Sequence, residues 1–164
     1  MANKTLEELR KTILKGMEVK FKKLDENAVL PSYAKEGDAG MDLTAVSIKY
    51  DAEYDNYIYG TGLAVEIPRG YVGLIFPRSS NRKTSAYMTN HVGVIDSGYR
   101  GEIMITFKQR DYAVKDASDV PTPYKVGDRV AQLIIMKYPT IIPVLAEELS
   151  ETERGEGGHG STGN

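Results

Sequence analysis

Chemistry-bearing residue types in this chain gather where short apolar runs give way to turns. In Asn90-His-Val-Gly-Val-Ile-Asp-Ser-Gly-Tyr-Arg-Gly-Glu-Ile103, the runs Val92–Ile95 and Ile103–Ile105 flank the polar segment Ser97–Gly101. The layout predicts a β-hairpin, with glycines free to take positive φ where the chain reverses. Its open end offers backbone N–H and C=O groups at fixed spacing. Asp96 stands where the first run enters the turn, and Tyr99 follows three residues later. On these residues alone, a site and an ordinary hairpin with a turn aspartate read alike. In Phe76-Pro-Arg-Ser-Ser80, Pro77 ends a strand and Arg78 supplies a cationic fork. The N–H groups of the next turn can cradle phosphate oxygens, although Pro-Arg-Ser-Ser is also a common turn. Asp38-Ala-Gly-Met-Asp-Leu43 holds Asp42 at a strand end, where an aspartate caps turns. In Arg154-Gly-Glu-Gly-Gly-His-Gly-Ser-Thr-Gly163, a glycine-rich run precedes Ser-Thr as in a phosphate-binding P-loop. That comparison fails, because Ser161 holds the lysine position and no helix follows Thr162.

The elements that must position these residues are short. Val19 and Phe21 alternate with Lys20 and Lys22, which predicts a strand with one wet face. Further strands are expected over Met41–Ile48, Leu63–Ile67, Tyr71–Phe76, the hairpin Val92–Lys108, Arg129–Lys137 and Ile141–Leu145. Within Lys125–Ile134, Val130, Ala131, Leu133 and Ile134 read as core, and Asp128 and Arg129 as turn and ion-pair residues. Thr5-Leu-Glu-Glu8 fits a capping box ahead of Leu6, Leu9, Ile13 and Met17, so one amphipathic helix is expected over Thr5–Lys15. Tyr50–Tyr59 reads as a loop between strands, and Arg110–Lys125, with Pro121 and Pro123, as a long polar connection. The tail from Glu147 has too little apolar content to pack by itself. Many short strands and one weak helix predict an antiparallel all-β sandwich or jelly roll.

Composition narrows the functional classes. The 164 residues suffice for one domain with a real core. A formal net charge of −2 and the lack of a basic stripe argue against binding duplex nucleic acid. With no cysteine and two histidines, neither disulfides nor a cysteine–histidine metal site is available. The N-terminus lacks a signal-peptide core and no run approaches ~18 apolar residues, so a soluble cytoplasmic protein without membrane contact is expected.

Five stretches, in order, resemble the signature motifs of the homotrimeric dUTP diphosphatases (dUTPases): Asp38–Leu43, Phe76–Ser80, Gly93–Glu102, Lys125–Ile134 and Arg154–Gly163. The resemblance implies a jelly-roll (β-clip) homotrimer in which each active site draws on three subunits. It divides the chain into an N-terminal helical extension (1–17), a β-barrel domain (18–150) and a C-terminal lid arm (151–164) completing a neighbour's site. It further implies Mg²⁺-assisted hydrolysis of dUTP to dUMP and pyrophosphate, with Asp96 holding the water that attacks the α phosphorus. Uracil presents acceptors at O2 and O4 around a donor at N3. By resemblance, the backbone of Val94, Ile95 and Asp96 and the Asn90 amide meet that edge, with Gly93 and Met104 beside it. Cytosine would leave groups unpaired there, a mismatch able to discriminate by ~10⁴–10⁵. Tyr99 would pack on the sugar and exclude a 2′-hydroxyl. Arg78, Ser79, Ser80, Gln132, Arg154, Gly160, Ser161 and Thr162 would bind the phosphates, and Asp42 would face the metal through water. The family usually carries a stacking phenylalanine where this chain has His159.

Two other readings compete. A dCTP deaminase of related fold would need a glutamate base, for which Glu102 is the nearby candidate. A non-catalytic regulatory nucleotide binder, possessing an unidentified protein partner, would use Tyr50–Tyr59 or Arg110–Lys125 as its docking surface. The full set of polar positions in the five motifs counts against loss of activity.

Overall fold

Alternating apolar and polar residues, cut into short lengths by glycine and proline, dictate strands, and strands are what the chain forms. The computed structural model describes residues 16–109 and 123–158. Its elements are β1 (Lys20–Lys23), β2 (Met41–Thr44), β3 (Ser47–Asp51), β4 (Asn56–Gly60), β5 (Leu63–Glu66), β6 (Tyr71–Pro77), β7 (Ala86–Met88), β8 (Gly93–Ile95), β9 (Met104–Gln109) and β10 (Arg129–Lys137), with a 3-10 turn over Ser79–Lys83. The architecture is all-β. One antiparallel sheet has the order β2-β10-β6-β8, a second β3-β4-β9-β7, and β1 pairs with β5 as a ribbon. No helix among the described residues is long and apolar enough to cross a membrane.

A single core joins the two sheets. Leu43, Ile75, Val130, Ala131 and Leu133 enter it from the first, and Tyr57, Tyr59, Met88, Ile105 and Phe107 from the second. In β9 the alternation is plain: Ile105 and Phe107 are buried while Met104 is exposed. Tyr59 meets Phe107 and Tyr124 edge-on, with ring centroids 5.8 and 5.9 Å apart, a favoured aromatic geometry. The long strand β10 pairs with β6 from Ala131↔Pro77 to Lys137↔Tyr71. It thereby fixes the end of β6, from which Arg78 projects.

Several expectations need correction. Met41–Ile48 is not one strand. It breaks at Ala45, whose N–H donates to Asp128 O and whose carbonyl accepts from Gly127 N, while Val46 N bonds Gly60 O in the other sheet. This corner carries the chain between sheets, and no glycine or proline within Met41–Ile48 marks it. Tyr50–Tyr59 is no loop: it forms most of the β3–β4 hairpin, turning through Asp55 at φ 51°, with Tyr57 and Tyr59 pointing inward. Val92–Lys108 is no paired hairpin either. β8 pairs with β6, whereas β9 pairs with β4 and β7, so the segment between them crosses from sheet to sheet. Ile141–Leu145 joins no strand, and Ile142 and Leu145 stand 86% and 101% exposed, because none of the described residues covers them. The helix expected over Thr5–Lys15 and residues 110–122 of the polar connection lie outside the described residues.

Candidate active site

Because β8 and β9 enter different sheets, a slot opens where their ladder would have been. Val94, Ile95, Asp96, Tyr99, Glu102 and Met104 line it, around a volume of about 160 Å³. β8 is the outermost strand of its sheet, so the far edge of its backbone has no strand partner there. Met104 starts β9 beyond the reach of β7, whose pairing begins at Met88↔Phe107. The connecting loop is tied internally: Tyr99 N donates to Asp96 O at 3.0 Å, and the Tyr99 hydroxyl to Glu102 O at 2.9 Å. The slot can thus offer backbone donors and acceptors to a flat ring, with a carboxylate and an aromatic beside them.

A second, more polar pocket of about 350 Å³ lies over β2, β10 and the turn after β6 of the first sheet, among Asp38, Gly40, Asp42, Arg78, Ser79 and Gln132. Asp42 is its anchor. One carboxylate oxygen accepts from Arg78 Nε at 2.7 Å and the other from Arg129 Nη1 at 2.9 Å, with the Asp42 side chain only 14% exposed. Two cations share this anion, so the Arg78 fork is held at the pocket wall, where it can meet an anionic ligand, while Asp38 adds a second carboxylate to the lining. Arg78 Nη1 also reaches Ser80 Oγ at 3.2 Å. Gln132 donates from Nε2 to Pro77 O and folds over Gly40, where a Cβ would stand 2.6 Å from Gln132 Oε1. The 3-10 turn after Arg78 is braced from the core. Asn81 donates to Ala86 O and accepts the Tyr124 hydroxyl at 2.9 Å. Burial raises the Tyr124 phenol, an effect Arg78 partly opposes.

The sequence candidates therefore divide. Val94, Ile95, Asp96, Tyr99 and Met104 meet in the slot; Asp42, Arg78, Ser79 and Gln132 meet in the polar pocket, with Ser80 bonded to Arg78. Asn90 and Gly93 precede the slot without lining it: Gly93 is buried against Ile75, and a Cβ on it would come 3.5 Å from Asn90 Nδ2. Arg154 bonds Gly157 O within the arm and lines neither pocket. His159, Gly160, Ser161 and Thr162 lie outside the described residues. The register couples Asp42 to Gln132 to Phe76, and Val94 to Leu74 to Ile134, so Asp42 stands three strand spacings, ~14 Å, from the slot strand β8, while Ile134 of the pocket stands two spacings from it. Sequence reasoning missed the specific Arg129–Asp42 pair, the Tyr124–Asn81 bond and the anchoring of Glu102 by Gly62 N. None carries a local signal, because the partners are remote in the chain.

Among the described residues no three His, Cys, Asp or Glu side chains cluster as a metal cage. Asp42, with both oxygens engaged by arginines, is poorly disposed to bind a metal directly. Each oxygen still has a second lone pair to accept from a metal-bound water. This fits Mg²⁺, which keeps several waters and binds largely through substrate phosphates.

A slot beside an open strand edge, together with an arginine- and hydroxyl-bearing pocket on a small all-β frame, suits a β protein that binds nucleotides. The sequence model of the dUTPase family matches residues 26–163, and the chain belongs to that family. It is 39% identical over 146 residues to the deoxyuridine 5'-triphosphate nucleotidohydrolase of Nocardia farcinica (88% of this chain, 85% of that one). Its fold is similar to that of a variant dUTPase of Staphylococcus bacteriophage 80alpha with dUpNHpp (TM-score 0.75, 28% identity, 90% of this chain and 99% of that one). It is also similar to a variant of the dUTPase from phage phi11 of S. aureus, a protein described with a structural Mg(II) ion (TM-score 0.66, 29% identity, 80% and 98% covered).

Proposed function

We propose that the chain hydrolyses dUTP to dUMP and pyrophosphate, with uracil in the slot between β8 and β9 and the triphosphate in the pocket around Arg78. Membership of the dUTPase family supports the activity. The observation that carries the residue assignment is the open far edge of β8, beside which Asp96 and Tyr99 line one cavity. Backbone groups of Val94–Asp96 pair with O2, N3 and O4, and the Asn90 amide assists. Tyr99 packs on the deoxyribose. Asp96 holds the water that attacks the α phosphorus in line, accepting its proton as pyrophosphate leaves; such a base contributes ~10²–10⁴ in rate. Arg78, Ser79, Ser80 and Gln132 bind the phosphates and meet the charge that develops. Bound Mg²⁺ would neutralise and orient the triphosphate, with Asp42 accepting from its water shell. Arg154, His159, Gly160, Ser161 and Thr162 close over the nucleotide from the arm. The enzyme works on the free nucleotide pool, in the cytoplasm.

We further read the two four-stranded sheets as a jelly roll and the assembly as a homotrimer with shared sites. Two features support sharing: slot and phosphate pocket are separate cavities along one sheet, and the apolar segment Ile141–Leu145 is left exposed by the described residues. The deaminase alternative loses support at Glu102, whose Oε1 already accepts Gly62 N at 2.7 Å. Pyrophosphate and ammonia release measured across dUTP, dCTP, dTTP and UTP tests the reading. Pyrophosphate from dUTP alone is expected, and ammonia from dCTP would overturn it. Asp96→Asn should bind a nonhydrolysable dUTP analogue almost normally while turnover falls at least ~10².

A further inference from the structure

The Tyr99 ring is held more firmly than an aromatic on an exposed loop needs to be. It lies across Gly101, where a Cβ would stand 2.6 Å from Tyr99 Cζ and 3.0 Å from Cε2. Its hydroxyl donates to the Glu102 carbonyl at 2.9 Å. Glu102 is itself clamped from the β4–β5 link, with Oε1 accepting Gly62 N at 2.7 Å. The next residue, Ile103, accepts from Thr61 Oγ1 at 2.8 Å and Thr61 N at 3.2 Å, and donates to Leu63 O at 2.8 Å. Thr61 is completely buried. Gly60 leaves room for the Glu102 carboxylate, since a Cβ there would stand 2.6 Å from Oε1. An unbroken chain of hydrogen bonds therefore runs from the buried Thr61–Leu63 segment, through Glu102, to the Tyr99 hydroxyl.

A wall that rejects one extra hydroxyl must be stiff. A yielding pocket discriminates weakly against an added hydroxyl, whereas a ring that cannot swing aside makes the clash unavoidable. We propose that Glu102 is a positioning residue that sets sugar specificity: its carboxylate anchors the rim of the slot to Gly62, and its carbonyl pins Tyr99 where a ribose 2′-hydroxyl would collide. This rests on the reading above that Tyr99 packs on the sugar. Glu102 itself touches no reacting atom.

The test is the ratio of kcat/KM for dUTP to that for UTP, in the full-length wild type and four variants. Glu102→Ala frees the rim and should lower the ratio at least about tenfold through a relative gain for UTP. Glu102→Gln keeps an Oε1 acceptor for Gly62 N and should hold the ratio near wild type. Gly101→Ala reaches the same point by another route. Its Cβ pushes the ring off its seat at a backbone position outside the left-handed region, so the ratio should fall there too, and this variant decides the matter should Glu102→Ala not fold. Tyr99→Ala reports the underlying reading. If it lowers the ratio while Glu102→Ala and Gly101→Ala do not, the positioning role is wrong and the sugar reading stands. If Tyr99→Ala leaves the ratio unchanged, both fall. A wild type that releases no pyrophosphate from dUTP overturns the proposed function and, with it, this role. A merely structural Glu102 would depress both substrates in proportion, which also overturns the proposal.

Discussion

At Asp42, one carboxylate organises two arginines. Arg78 takes one oxygen and Arg129 the other, in a pocket that exposes little of the acid. Asp42→Asn keeps one acceptor but turns an N–H donor toward a guanidinium and removes the charge both arginines face. The expected loss is about 1–3 kcal/mol of stability, with nucleotide affinity weakened because Arg78 loses its fixed position. Urea unfolding together with titration of a nonhydrolysable analogue checks this, and unchanged values in both would remove Asp42 from the design. Arg129→Ala leaves the Arg78 bond intact and should cost less. Asp42, Arg78 and Asp96 were singled out at strand ends through the resemblance of their motifs, since residue type and spacing alone fit ordinary turns as well. The Arg129 partner was not, since the pair joins residues 87 apart and no periodicity encodes such a meeting.

Among the strands, β10 was legible because a continuous apolar run crosses the middle of a sheet. The corners were not. Ala45 turns the chain from one sheet to the other inside a strand-like run, and the polar loop after Asp96 has the make-up of a tight reversal although it crosses between sheets, so two strands were read as one and a crossing as a hairpin. The tyrosines of β3 and β4 concealed a second hairpin, since their uneven spacing masks the alternation. Tyr59 gives this level a pH test. Burial pushes its phenol up to about 12, against ~10 in an unfolded chain. A raised phenol contributes stability that is complete below pH ~10 and is lost as pH climbs toward ~12. Tyr59→Phe should remove that part of the alkaline loss. It should cost about 0.5–1.5 kcal/mol at neutral pH, because the hydroxyl donates to Tyr124 O and accepts Tyr124 N. Urea midpoints at pH 8 and pH 11 separate the two effects. A shallower slope, not a vanished one, is expected, since burial raises Tyr124 as well. An alkaline slope identical to wild type would contradict the account of this core.

For the whole molecule, a single chain would be an incomplete catalyst under the proposed shared sites. The slot beside β8 and the polar pocket over β2, β10 and the turn after β6 are separate cavities, and the apolar segment Ile141–Leu145 is exposed, as contact surfaces are. Both facts are met when copies join head to tail in a closed ring, each lending its slot to a neighbour's phosphate pocket. Sharing of sites between copies was expected only by resemblance, because an interface between copies leaves no periodic trace in one chain. The most direct test mixes two inactive proteins, Asp96→Asn and Arg78→Ala, under conditions where subunit exchange is verified by mass. Sites built from a slot of one chain and a phosphate pocket of another should recover about a quarter of wild-type turnover at equal mixing, the chance of pairing two intact halves around a cyclic assembly. If exchanged assemblies stay as inactive as their parents, slot and phosphate pocket serve the nucleotide within one chain, and the shared-site account is wrong.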